Sequence, residues 1–152
     1  MSIAQTATTS FKVQLLQAVH NFGPTSPNTF KVALFTAAAN LSASTTAYTV
    51  GMTGEVASGN GYTTGGNTLT ISVSPTSGNN NASIPTAFIS FSNTSWTNAS
   101  FTARGALIYN YSASGYPSVA VLDFGSDKTV TNDTFQIIFP TADANSAIVR
   151  IS

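Results

Sequence analysis

From Phe30 to Ile151 the chain is a succession of short apolar or alternating runs, each closed by a cluster of Gly, Pro, Asn or Ser, and few folds accept that pattern. The runs are Phe30–Thr36, Thr46–Val50, Thr68–Val73, Thr86–Phe91, Trp96–Thr102, Gly105–Tyr111, Val119–Phe124, Thr134–Phe139 and Ala147–Ile151. In the first, Phe30, Val32 and Leu34 fall on one side and Lys31, Ala33 and Phe35 on the other, the two-residue period of a strand. The breaks between runs, such as Thr76-Ser77-Gly78-Asn79-Asn80-Asn81 and Ser114-Gly115-Tyr116-Pro117, are rich in turn formers. Short strands at this spacing build a sandwich or a barrel. Residues 37–46 and the Gly-rich stretch 51–67 lack periodicity and read as loops.

One segment stands apart. Phe11, Leu15, Leu16, Val19 and Phe22 fall at roughly helical spacing, Thr9 or Ser10 can cap the start, and Gly23-Pro24 marks a stop. A helix over about 10–22 is too short to be stable alone and must dock by its apolar stripe. Residues 1–9 are small and polar and read as a flexible arm, leaving 10–152 as a single domain without internal repeat or linker. The expected fold is therefore all-β: an antiparallel, jelly-roll-like β-sandwich of about eight to nine short strands with one N-terminal amphipathic helix.

Composition supports β structure and narrows the function. Thr (23), Ser (20) and Asn (13) make up 56 of 152 residues, while only 7% are charged, against about 25% in an ordinary domain. Thr suits a half-buried pleated surface, and Ser and Asn favour turns. Five cations balance five acids, so no field steers the chain to nucleic acid or anionic lipid. Lys12, Lys31, Arg104, Lys128 and Arg150 are scattered and do not form the basic, aromatic-lined groove of a single-strand binder. With so little charge repulsion, self-association is better tolerated by an assembled oligomer than by a concentrated free monomer.

Targeting signals are equally sparse. No run approaches the roughly 18 apolar residues of a membrane span. The opening MSIAQTATTS lacks the basic and apolar regions of a secretory signal, so a chain made in the cytoplasm is expected. The six Asn-x-Ser/Thr triplets are largely what this composition supplies by chance.

Groups able to do chemistry are few. There is no Cys, hence no disulfide or thiolate site, and His20 is the only histidine, placed by the helix reading in the last turn near the terminal carbonyls. No nucleophile elbow or Walker pattern occurs. Gly59-Asn60-Gly61-Tyr62-Thr63-Thr64-Gly65-Gly66 misses the dinucleotide spacing and reads as a loop whose glycines supply positive φ. Among Glu55, Asp123, Asp127, Asp133 and Asp143, a glycosidase pair such as Glu55 with Asp127 is conceivable, yet any five acids offer pairs. Asp123 to Asp127, followed by Asp133, carries oxygen ligands suited to calcium but falls short of an EF-hand and reads as a turn. No catalytic, cofactor-binding or metal residue is assigned, and no cofactor is expected.

Four phrases together carry a resemblance: FKVQLLQAVHNFG with NTFKVALFTA; TGEVASGNGYTTGGNTL (Thr53–Leu69); SWTNASFTARGALIYN (Ser95–Asn110); and VAVLDFGSDKTVTNDTFQIIFP (Val119–Pro140). In this order they resemble small virion structural proteins of tailed bacteriophages, the head decoration or cement proteins. The resemblance implies a non-enzymatic β-sandwich on the capsid surface, partnered by the major capsid protein and by its own copies, with a homotrimer expected where capsid subunits meet. It carries over no catalytic residue. Within these phrases Arg104 is placed to bond an acid, Glu55 or Asp123. Two other readings remain: a tail or fibre component contacting the host, and a carbohydrate-binding sandwich using Trp96, Tyr62, Tyr111 or Tyr116.

Overall fold

A computed structural model describes all residues, Met1–Ser152. Eight strands and one helix follow in order: β1 (Thr6–Ala7), α1 (Thr9–Leu16), β2 (Phe30–Phe35), β3 (Asn67–Leu69), β4 (Ile71–Asn79), β5 (Pro85–Phe91), β6 (Thr94–Asn110), β7 (Ser118–Ile137) and β8 (Val149–Ile151). They form two antiparallel sheets, ordered β1-β7-β6-β2-β3 and β4-β5-β8, so the expected all-β sandwich with one short helix is the architecture. No helix is long and apolar enough to cross a membrane.

The main difference from expectation is strand length. Trp96–Thr102 and Gly105–Tyr111, all but its last residue, belong to one 17-residue strand, β6, and Val119–Phe124 and Thr134–Phe139, up to Ile137, to one 20-residue strand, β7. The two pair along most of their length as a ribbon, turning at 111–117. The breaks suggested by the sequence are bulges: between Ala103 and Gly105 the register slips, so that Phe124 to Asp127 stand opposite Arg104. A bulge keeps a strand continuous while bending it. Thr46–Val50 is not a strand; only Ala47 bridges, to Pro117. Thr68–Val73 splits between β3 and β4, which lie in different sheets.

Two apolar clusters hold the layers. The larger lies between the sheets and includes Phe22, Phe30, Val32, Leu34, Phe91, Trp96 and Ile108. The smaller lies on the opposite face of the large sheet, where Ala33, Phe35, Leu107, Tyr109 and Val121 pack against Ile3, Ala39, Leu41 and Tyr48 from the N-terminal segment and the 36–66 region. The middle strands are thus buried on both faces, which is why Phe30–Phe35 carries an apolar residue at every position but Lys31. Of the 56 Thr, Ser and Asn residues only Thr8, Thr86, Ser90, Asn110 and Ser118 are buried. The surface is therefore built of neutral hydroxyl and amide groups.

Residues 1–9, expected as a free arm, are folded into the molecule. Ile3 is buried and bridges Leu41, Thr6 and Ala7 pair with Val121 and Ala120, and the Thr8 hydroxyl accepts from Phe11 N to cap α1. One apolar anchor and small side chains suffice to seat an edge strand. The helix, in turn, is shorter than expected and hardly amphipathic. It ends at Leu16, Ala18 adopts φ 57°, and of its residues only Phe11 is buried, Leu16 being 91% exposed. Val19 to Phe22 return as irregular chain that inserts His20 and Phe22 into the core, a placement a continuing helix could not give.

Candidate functional site

The densest gathering of functional side chains lies where the 48–66 region crosses β2 and β6. Gly54 and Val56 pair with Thr36 and Leu34, fixing Glu55 beside Phe35. The Glu55 carboxylate accepts three hydrogen bonds: from the Tyr48 hydroxyl (2.9 Å), the Tyr62 hydroxyl (2.9 Å) and Gly65 N (2.7 Å). Tyr62 also accepts from Leu34 N (3.1 Å), and Tyr109 donates to Gly65 O (2.8 Å). Burial and the nearby Glu55 charge hold the Tyr48, Tyr62 and Tyr109 hydroxyls neutral well above the usual phenol range.

This loop follows the glycine reading. Gly59, Gly61, Gly65 and Gly66 all have positive φ. Gly66 is the tightest: at φ +69° a Cβ there would sit 1.8 Å from Val32 O. The carboxylate therefore pins a loop to the sheet, with its oxygens already occupied.

The tyrosines continue to the surface. Tyr48 stacks on Tyr109 (centroids 4.4 Å apart), Tyr116 lies edge-on to Tyr109 (6.2 Å), and Tyr111 stacks on Tyr116 (5.2 Å). Tyr111 is 47% exposed and Lys31 Nζ lies 4.9 Å from its ring centre. Of the four aromatics considered for sugar stacking, Tyr111 is thus exposed and Tyr116 half-buried beneath it. Trp96 and Tyr62 are both buried in the core, with Trp96 Nε1 lacking a hydrogen-bond partner.

His20 lies off the helix, contrary to the last-turn expectation. Its ring is edge-on to Phe11 (5.0 Å) and stacked toward Phe22 and Phe30. Nε2 meets Gln14 Oε1 at 3.0 Å and Nδ1 meets Asn110 Nδ2 at 3.2 Å. An amide N–H donating to Nδ1 leaves the proton on Nε2, which donates to Gln14. Burial lowers its pKa from 6.5 to about 4, so the ring is neutral.

Arg104 bonds Asp123, the second of its two expected acids, in the only ion pair of the structure. Asp123 also accepts from Gly125 N (2.8 Å), and that bond, followed by the guanidinium, holds its carboxyl below the usual range. The 123–127 segment is thus a bulge inside β7, where a turn beyond a strand was expected. Glu55 and Asp127 belong to different surroundings, Asp127 being exposed in this bulge. No three of the His, Asp and Glu side chains gather as a metal-ligand group.

An apolar cleft completes the inventory. It runs between α1, the His20–Gly23 segment and the inner face of β5 and β8, with a volume of about 320 Å³. A second space of about 420 Å³ continues between β8 and the β1–α1 segment.

Taken together, fold and surface define an all-β sandwich with a neutral, hydroxyl-rich exterior and polar clusters turned inward to brace loops. Compared with protein-family models, curated proteins and solved structures, the chain matches none.

Proposed function

We propose that the protein is a non-enzymatic virion component of a tailed phage: a decoration protein that binds the outer capsid shell as a small homo-oligomer, with the major capsid protein as its partner. The observation that carries this reading is the neutral surface, in which Thr, Ser and Asn supply the polarity and a single ion pair is formed. Such a surface makes many uncharged hydrogen bonds across an interface, and these depend little on salt. The order and spacing of the four phrases that resemble decoration proteins support the same reading. The mechanism is mechanical: the protein binds only the assembled shell, so its binding free energy adds to shell stability by mass action. Particles made without it are expected to open at lower temperature and under milder osmotic shock. Equal resistance with and without the protein contradicts the cementing role.

A glycan-contacting role is the second reading, favoured by the exposed Tyr111, stacked on Tyr116 beside Lys31. Binding to a polysaccharide array that disappears in Tyr111→Ala supports it; a uniformly blank array removes it.

A further inference from the structure

Two sheet edges lie open on one side of the sandwich. β8 pairs only with β5, and β1 only with β7. Beyond that pairing, the backbone of Ile148–Ile151 makes no hydrogen bond. Between these edges runs the second space described above, with Ala7, Phe11, Lys12 and Leu15 on one wall and Ile148–Ser152 on the other. It joins the apolar cleft through Phe11, Leu15, Val149 and Ile151, which line both.

Charge gives the slot a direction. Of the five cations, Lys31 lies over Tyr111, Arg104 pairs with Asp123, and Lys128 donates to Ser126. The remaining two, Lys12 and Arg150, have no ion-pair partner, are exposed, and both line the slot. No Asp or Glu side chain lines either space.

We propose that this slot is the docking site for an extended segment of a partner protein, with alternating apolar residues and an acidic side chain, which adds as a strand along β8. Strand addition satisfies the unpaired edge backbone, and the two-residue period sends alternate side chains into the cleft. The carboxylate meets Lys12 and Arg150. An acyl chain would fill the apolar volume but leave the edge amides without partners, which is why a peptide is the occupant. The proposal stands independently of the capsid reading, since it names a type of segment and not the particle that presents it.

The test uses the full-length, isotopically labelled protein and two synthetic hexapeptides, Asp-Val-Thr-Val-Thr-Val and its Lys-first counterpart. The acidic peptide is expected to bind at least about tenfold tighter, to shift the amides of Ile148–Ile151 and Ala7, and to slow exchange of the alternate β8 amides that point away from β5. The exposed double replacement Lys12→Glu with Arg150→Glu is expected to invert the preference, and N-methylation of the peptide backbone to abolish binding. Equal affinity for both peptides, absence of binding, or shifts elsewhere overturns the proposal. So does saturation by laurate without amide protection. Self-association of the free chain that protects the same amides assigns the slot to a second copy and likewise overturns it.

Discussion

Asn110, at the end of β6, faces His20 across the core with Nδ2 3.2 Å from the imidazole Nδ1, and through this contact the segment after α1 is tied to the large sheet. The same amide reaches Asn28 Oδ1 (2.9 Å), and Asn110 Oδ1 accepts from Ser112 N and Ala113 N as the ribbon turns. One buried side chain thus fixes the exit from the helix, the approach to β2 and the β6–β7 turn.

Acid sensitivity follows from this contact. With its pKa lowered to about 4, His20 stays neutral in the folded chain at pH values where the unfolded chain protonates it. The unfolded state therefore binds more protons between the two pKa values, and stability falls as pH drops from about 6.5 toward 4, by on the order of 3 kcal/mol. Urea unfolding of the wild type and of His20→Gln near neutral pH and near pH 4 checks this. The variant is expected to lose less on acidification; equal losses would remove His20 as the cause.

Glu55→Gln keeps the size of the side chain but weakens the acceptor for Tyr48, Tyr62 and Gly65. The expected cost is about 1.5–3 kcal/mol, the range for hydrogen bonds to a charged group. Hydrogen exchange should quicken first in residues 57–66, the loop this carboxylate holds. Uniform acceleration across the sheet would point to a different role.

Two glycine replacements separate crowding from conformation. Gly66→Ala forces a Cβ against Val32 O and is expected to cost more than about 3 kcal/mol or to prevent folding. Gly51→Ala has a similar backbone, φ +80°, with nothing within 4 Å of the added carbon, and should cost only about 1–2 kcal/mol. Thermal melts of the pair read the difference directly.

How far the sequence reached depended on whether the cause was local. Phe30–Thr36 and Thr86–Phe91 were legible to within a residue, because apolar runs closed by turn residues leave few options. The continuity of β6 and β7 was not, since polar stretches such as Lys128–Asp133 look like loops and become strand only by pairing with Ala99–Ala103. The end of α1 gave no signal either: Ala18 takes a positive φ that a glycine would have announced, and the pull comes from burying His20 and Phe22. Of the site residues, Arg104 with Asp123 was anticipated as one of two pairings. The three donors to Glu55 and the open edge of β8 are tertiary, formed by residues whose spacing carries no pattern.

Binding to the shell is the direct test of the central claim. On the proposed reading, purified protein is mixed with empty capsids of a tailed phage whose genome carries this sequence and sedimented over a range of ionic strengths. Saturable co-sedimentation at a fixed number of copies per capsid, little changed by salt, is the predicted result. Protein that stays in the supernatant at every ratio, or that is stripped off by modest salt, would contradict a neutral hydrogen-bonded cement.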